Sequence, residues 1–243
     1  MATVPVQIKE KPYTITYISK ETPEVTLFRF SAKDGAKIAF DPGMFVMVEY
    51  ANPTTSEKIS RAFSIASSPS QPYLEFFISM IHGRFTSHLD TAKEGDLYYI
   101  TGPYGQFRFV PGVDKKVLFL AGGTGLAPFM SMLRHIRDLA MDDDIVLIYS
   151  VKYPTEIIRK AELGELEKAL KLKLAVTVTR PQEGDGWSGE KGHIDANMIK
   201  KYAPDFAERT VYICGPLGFV KAMNDAAEAL GIDRSKLKAD VWG

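Results

Sequence analysis

Apolar positions follow two different rhythms along the chain. From Tyr13 to about Gly112 they come in short β-branched and aromatic runs, at residues 14–19, 25–31, 44–50, 61–67, 74–81 and 96–102, parted by Pro, Gly, Asn and Asp. Runs of this length between turn residues predict strands. No segment of helical period long enough to be a major helix interrupts them, and only a short helical turn is expected, at Phe85 to Leu89. A succession of strands without helices predicts a small antiparallel barrel or sandwich.

After residues 102–112 the rhythm changes. Strand-like runs at 116–121, 144–151, 173–180 and 210–215 alternate with segments of helical period at 127–140, 161–170, 195–203 and 217–231. That alternation predicts a parallel sheet with helices on both faces, and such sheets take ligands at the carboxyl ends of their strands. The expected division is an N-terminal antiparallel β-barrel over residues 1–112 and a C-terminal α/β parallel-sheet domain over 113–243. No internal repeat or low-complexity tract is present.

Composition narrows the classes. The chain has 243 residues, 45% hydrophobic and 25% charged, enough to build a core without disulfides. With 30 basic against 30 acidic residues there is no net field, which argues against a nucleic-acid partner. The first residues alternate apolar and polar side chains rather than forming a signal peptide, and no run approaches the roughly 20 apolar residues of a membrane span. A cytoplasmic protein is the expectation. The single cysteine, Cys214, rules out an internal disulfide or a multi-cysteine cluster within this chain, and His82, His88, His135 and His193 form no metal-ligand spacing, so no metal site is expected.

Several stretches carry candidate chemistry. Residues 115–134 read as a strand, a turn with Gly122, Gly123 and Gly125, and a helix opened by Pro128. Unpaired N–H groups at such a helix start receive anions such as a pyrophosphate. Pro128 stands where the common dinucleotide fingerprint has its third glycine, so a ligand-free turn is an equal reading of this stretch alone. Arg61-Ala62-Phe63-Ser64 places a cation, an aromatic ring and a hydroxyl on one strand, suited to a phosphate and a flat ring, or simply to an ordinary barrel strand. Gly83, Phe85, Thr86 and Ser87 form a second potential anion site, or a plain helix cap. Cys214-Gly215-Pro216 falls at the carboxyl end of a strand beside the glycine turn, where a small buried hydrophobe is the simpler reading. Trp242, near the last residue, either packs into the core or stacks on a planar ligand.

Taken in order, these stretches, with residues 102–107 and the ending Asp240-Val241-Trp242, resemble the ferredoxin–NADP reductase superfamily of two-domain flavoprotein reductases over nearly the whole chain. The resemblance implies a flavin-binding barrel followed by a nicotinamide-nucleotide domain. By it, Arg61 holds the flavin diphosphate, Phe63 lies against the flavin and Ser64 hydrogen-bonds near flavin N5. Gly83 and Thr86 correspond to the element that receives the FAD pyrophosphate. Gly123, Thr124 and Gly125 correspond to the nicotinamide-dinucleotide turn, and Cys214, with Gly215 and Pro216, to the segment beside the nicotinamide C4. Asp240 stands for the family's usual Glu, and Trp242 for the aromatic that covers either the flavin or the adenine. Phe63 replaces a common Tyr, a form shared with free-flavin reductases.

The resemblance therefore implies a FAD-dependent NAD(P)H oxidoreductase, with Ser64, Cys214, Asp240 and Trp242 at its catalytic centre. Its acceptor is expected to be a separate protein such as ferredoxin, flavodoxin or an oxygenase component, because this chain lacks cluster cysteines. A free-flavin or ferric-chelate reductase is the alternative enzyme, and a non-catalytic nucleotide-binding redox sensor the alternative of another class. At the strand ends, Lys152, Thr179 and Arg180 favour the 2′-phosphate of NADPH, while NADH stands if the two basic residues are only surface groups.

Overall fold

The computed structural model describes residues 8–36, 38–51 and 57–242. Six strands form the first sheet: β1 (Ile8–Lys20), β2 (Val25–Ala32), β3 (Phe45–Ala51), β4 (Lys58–Ser64), β5 (Leu74–Ser79) and β6 (Leu97–Tyr104). Their order is β4-β3-β6-β1-β2-β5, and every pairing is antiparallel. Just beyond β4 the chain crosses to the far edge of the sheet, where the Ala66 N–H donates to Glu75 O at 2.8 Å and curls the sheet into a barrel. The helical turn expected near Phe85 is α1 (Arg84–Leu89).

Residue alternation explains why β5, although at the sheet edge, carries apolar side chains on both faces. Leu74, Phe76 and Ile78 point into the barrel core with Phe28 and Phe30. Phe77, with Val25 and Leu27 of β2, packs instead into the core of the second half of the molecule. Both faces of this edge are buried, so the usual alternation of a half-exposed strand is lost.

The second sheet contains β7 (Lys116–Gly122), β8 (Asp144–Val151), β9 (Leu172–Val178), β10 (Glu190–Lys191), β11 (Thr210–Pro216) and β12 (Leu237–Trp242), all parallel, in the order β10-β9-β8-β7-β11-β12. Its connecting helices are α2 (Leu126–Asp138), α3 (Lys160–Ala169), α4 (Ala196–Tyr202) and α5 (Leu217–Ala229). Val117, Phe119 and Ala121 of β7 face α2 and α3, whereas Leu118 and Leu120 face α4 and α5. The strand order reverses around β7, with β8 on one side and β11 on the other, and a crevice opens there at the carboxyl ends. The expected architecture of antiparallel barrel followed by parallel α/β sheet is the one observed. Among the described residues, no helix is long and apolar enough to cross a membrane.

Candidate active site

One cavity, of about 430 Å³, opens between the barrel and the glycine turn. Arg61, Ala62, Phe63 and Ser64, at the end of the edge strand β4, line one side, and Gly83, Arg84, Phe85 and Thr86 line another. Thr124 of the glycine turn, Ala127 of α2, and Asp240 and Val241 of β12 close it from the second half of the molecule. The ring of Phe63 is held in an aromatic group, with its centroid 5.5 Å from Phe85 and 6.0 Å from Phe76. Arg61 is exposed and donates from Nη1 to Ser60 O at 2.8 Å, which leaves most of its donors directed outward. An apolar, aromatic-walled cavity of this size, lined also by Arg61 and by the hydroxyls of Ser64, Thr86 and Thr124, fits a planar ring joined to a diphosphate; the Arg84 guanidinium is paired with Glu57.

Within the α1 turn, Thr86 Oγ1 accepts the Gly83 N–H at 2.9 Å and donates to Gly83 O at 3.3 Å. Thr86 thus ties its own turn and fixes the direction of the first helical N–H groups. Ser87 is exposed and does not line the cavity.

A second cavity, of about 480 Å³, lies at the carboxyl ends of the parallel strands. Gly122, Gly123, Thr124, Ser150, Lys152, Thr179 and Pro216 line it, and Thr22, Glu24 and Ser79 reach it from the barrel. Ser79 and Thr124 line both cavities, so the two meet at these side chains. Gly123 takes φ +55° in open space, a left-handed conformation that glycine adopts without cost. Gly125 is required by proximity, since a Cβ there would lie 2.3 Å from Cys214 O. Phe219 packs its ring over Gly122 and Gly215, where added Cβ atoms would stand 2.9 and 2.7 Å from it. The glycines therefore let β7, β11 and the following 3-10 turn (Gly123–Gly125) come together.

Cys214 is fully buried and is not among the residues that line either cavity. Burial, and secondarily the charge of Asp240, pushes its thiol well above its ordinary pKa. Asp240 is its register neighbour on β12, and burial raises the Asp240 carboxyl as well, against the Val241 N–H that lowers it. The backbone of Trp242 pairs with Pro216 on β11, but its side chain lies outside what is described. Arg180 is exposed and outside the lining of the second cavity; its N–H donates to Lys152 O at 2.9 Å.

The structure also brings in residues that local motifs do not reveal. Phe45, Phe77 and Ser79 belong to strands whose sequence is ordinary barrel text, and Ile81 lies just past the end of β5. Glu156 lies beyond the end of β8, but the chain folds back so that its Oε2 accepts the Lys152 N–H at 3.1 Å, and it lines the second cavity with His193. Its signal is the Pro154-Thr155-Glu156 turn, which puts an acid four residues after the strand-end lysine.

Residues 12–109 match the oxidoreductase FAD-binding domain family and residues 119–225 the oxidoreductase NAD-binding domain family. The chain belongs to the two-domain flavoprotein reductases of the ferredoxin–NADP reductase superfamily. It is 33% identical to the glycine betaine monooxygenase reductase subunit of Pseudomonas aeruginosa over 231 residues, which cover 93% of this chain and 62% of that protein. It is 28% identical to the propane 2-monooxygenase reductase component of Rhodococcus jostii, covering 98% of this chain and 65% of that one. The chain thus spans less than two thirds of the length of these relatives. A ferredoxin NADP+ reductase from Neisseria gonorrhoeae, solved with bound FAD and NADP, has the same fold with a TM-score of 0.78 at 23% identity, covering 96% of this chain and 99% of that one.

Proposed function

We propose that this chain is a FAD-dependent NAD(P)H oxidoreductase that delivers electrons to a separate acceptor protein, such as an oxygenase component, a ferredoxin or a flavodoxin. The observation that carries the reading is the meeting of the two cavities at Ser79 and Thr124, with an aromatic-walled, arginine-bearing site on one side and a glycine-turn site on the other. Reductase subunits of two monooxygenases among the relatives support the choice of acceptor class.

Bound in these two cavities, a nicotinamide dinucleotide and FAD would supply the chemistry, hydride transfer between the two rings followed by electron transfer to the acceptor. The protein's own residues bind and orient. Arg61, with the α1 turn from Gly83 to Thr86, takes the flavin diphosphate, while Phe63 and Phe85 wall the ring system. Ser64 offers its hydroxyl to the flavin edge. Thr124, at the junction of both cavities, faces the reacting pair, and Gly123 and Gly125 allow the backbone to approach the nicotinamide dinucleotide. Asp240 closes the first cavity with a carboxyl that burial favours in its neutral form. Cys214 supports the turn from beneath. Gly215 and Pro216 carry the chain past the nicotinamide site, and Trp242 is assigned to cover one of the cofactor rings.

The functional division is set near Gly112, between the end of β6 and the start of β7, and the working compartment is the cytoplasm. Lys152 and Thr179 in the second cavity favour NADPH, whereas the Glu156 carboxylate beside them is the feature that suits NADH.

Purified protein that stays yellow through gel filtration and oxidises NAD(P)H with an added protein acceptor supports the reading. Colourless protein that reduces only added flavin contradicts it and supports a free-flavin reductase. Reversing the charge at Lys152, as Lys152→Glu, weakens NADPH far more than NADH; an equal loss for both removes the 2′-phosphate assignment.

A further inference from the structure

Helix α2 starts in the glycine turn and, one to two turns later, presents two polar side chains to the barrel. Ser131 Oγ donates to Ser67 O at 2.7 Å. Arg134 Nη1 donates to Ala66 O at 2.8 Å and to Glu75 Oε1 at 2.6 Å. Ala66 and Ser67 stand two and three residues after Ser64, the last residue of the strand that grips the flavin in the proposed reading. Glu75 holds the same two residues from the other side. Its carbonyl accepts the Ala66 N–H, and its own N–H donates to Ser67 Oγ at 3.2 Å.

Each member of the cluster has its partners. The buried Glu75 carboxylate takes Arg134 on one oxygen and Arg29 Nε on the other, at 2.8 Å. Arg134 spends its remaining donors on Glu162 of α3, at 2.7 and 2.8 Å. Ser131 and Glu75 are 0% exposed and Arg134 is 6% exposed. Apolar side chains, like the neighbouring Val25, Leu27 and Phe77, would cover this interface without any desolvation cost. A buried, fully satisfied polar cluster contributes little net stability compared with such packing, but it fixes one arrangement of the parts it joins.

We propose that Ser131 and Arg134 are positioning residues that clamp the nicotinamide-bearing helix to the flavin-bearing strand and so set the distance between the two reacting rings. The inference rests on the functional reading above. Six residues of helix, about 9 Å, separate Ser131 from Gly125, and three residues, at most about 10 Å of chain, separate Ser67 from Ser64. The first path is continuous helix and the second is tied at Ile65 to Met44 O and at Ala66 to Glu75 O, so a displacement at the clamp is carried to the rings. Neither side chain lines either cavity, which leaves cofactor contacts intact when they are changed.

Ser131→Ala deletes one hydrogen bond at nearly constant volume. Arg134→Lys keeps the charge but cannot serve Ala66, Glu75 and Glu162 together. Both variants are expected to retain FAD through gel filtration and to keep the wild-type KM for nicotinamide. Their single-turnover rate of flavin reduction is expected to fall by about tenfold or more, since a displacement of roughly 1 Å costs on the order of a hundredfold. A second readout needs no flavin chemistry. Calorimetry of the full chain stripped of FAD is expected to give one unfolding transition for the wild type and a split or broadened one for Arg134→Lys. Wild-type rates in both variants overturn the proposal, as does an unaltered single transition in stripped Arg134→Lys. Should the wild-type protein take up no flavin, the functional reading fails, and the calorimetric result alone decides whether the clamp couples the two halves.

Discussion

At the scale of single residues, Cys214 shows how placement changes a role. Its sequence position at a strand end beside the glycine turn suggests a thiol in contact with nicotinamide. In the fold it lies beneath that turn, fully buried, with its thiol held in the protonated form. A protonated, inaccessible thiol is a poor nucleophile, so native protein is expected to resist alkylation at neutral pH and to react only when unfolded. Cys214→Ala is expected to keep FAD and to slow flavin reduction through a small cavity under Gly125. Rapid labelling of the native protein, or an unchanged reduction rate in the variant, would show the role to be otherwise.

The glycines, Arg61, Ser64 and the Gly83 to Thr86 turn are legible in the sequence because each needs only its local neighbours to express its chemistry. Ser79 and Glu156 are not, because each reaches its cavity through tertiary folding: Ser79 ends a strand with no distinguishing pattern, and Glu156 returns to the end of β8 through a turn. Thr86 combines both readings of its stretch, capping its own turn while lining the cavity.

At the scale of elements, β7, β8 and β11 are recognisable because burial on both faces gives them continuous apolar runs. β10 is only two residues long, and β12 alternates Leu237, Ala239 and Val241 with Lys238 and Asp240, an edge pattern too polar to register beside the longer runs. The segment read as a chain end is thus a strand, and its pairing with β11 is what brings Asp240 beside Cys214.

The turn between β7 and α2 makes a sharper prediction. Gly125→Ala puts a methyl group against Cys214 O, where the backbone of β11 cannot yield without moving the sheet. Gly123→Ala meets no atom and carries only the strain of its positive φ, about 1 kcal/mol. Gly125→Ala is therefore expected to lower the melting temperature more than Gly123→Ala and to raise the KM for nicotinamide strongly, with FAD retained in both. Thermal melts with the two variants side by side check this, and equal destabilisation would contradict the close approach.

At the scale of the whole molecule, the barrel and the parallel sheet share one buried core and one ion network running from Arg29 and Glu75 through Arg134 to Glu162 and Arg159. Burial opposes ionisation of Glu162, but hydrogen bonds and charge from Arg134 and Arg159 outweigh it and hold its carboxyl at about 2, below its ordinary 4.5. A folded pKa below the unfolded one gives stabilisation that is present above the ordinary carboxylate range and lost as pH falls toward 2. Wild-type protein should accordingly lose stability between about pH 5 and 2 more steeply than Glu162→Gln, which starts lower at neutral pH. Parallel pH–stability curves for the two proteins would contradict the pairing. This network has no sequence signature, because its charges come from β2, β5, α2, α3 and the residue preceding α3, and read separately as ordinary surface residues.

In the proposed function two cofactors meet on this one chain, at the junction marked by Ser79 and Thr124. The most direct test is anaerobic stopped-flow mixing of the purified, FAD-loaded protein with NADPH and, separately, with NADH. Rapid loss of the visible flavin absorbance in a first-order phase that saturates with nicotinamide concentration is the predicted result. Protein that holds FAD stably, yet keeps its flavin oxidised in the presence of either nucleotide, would contradict it.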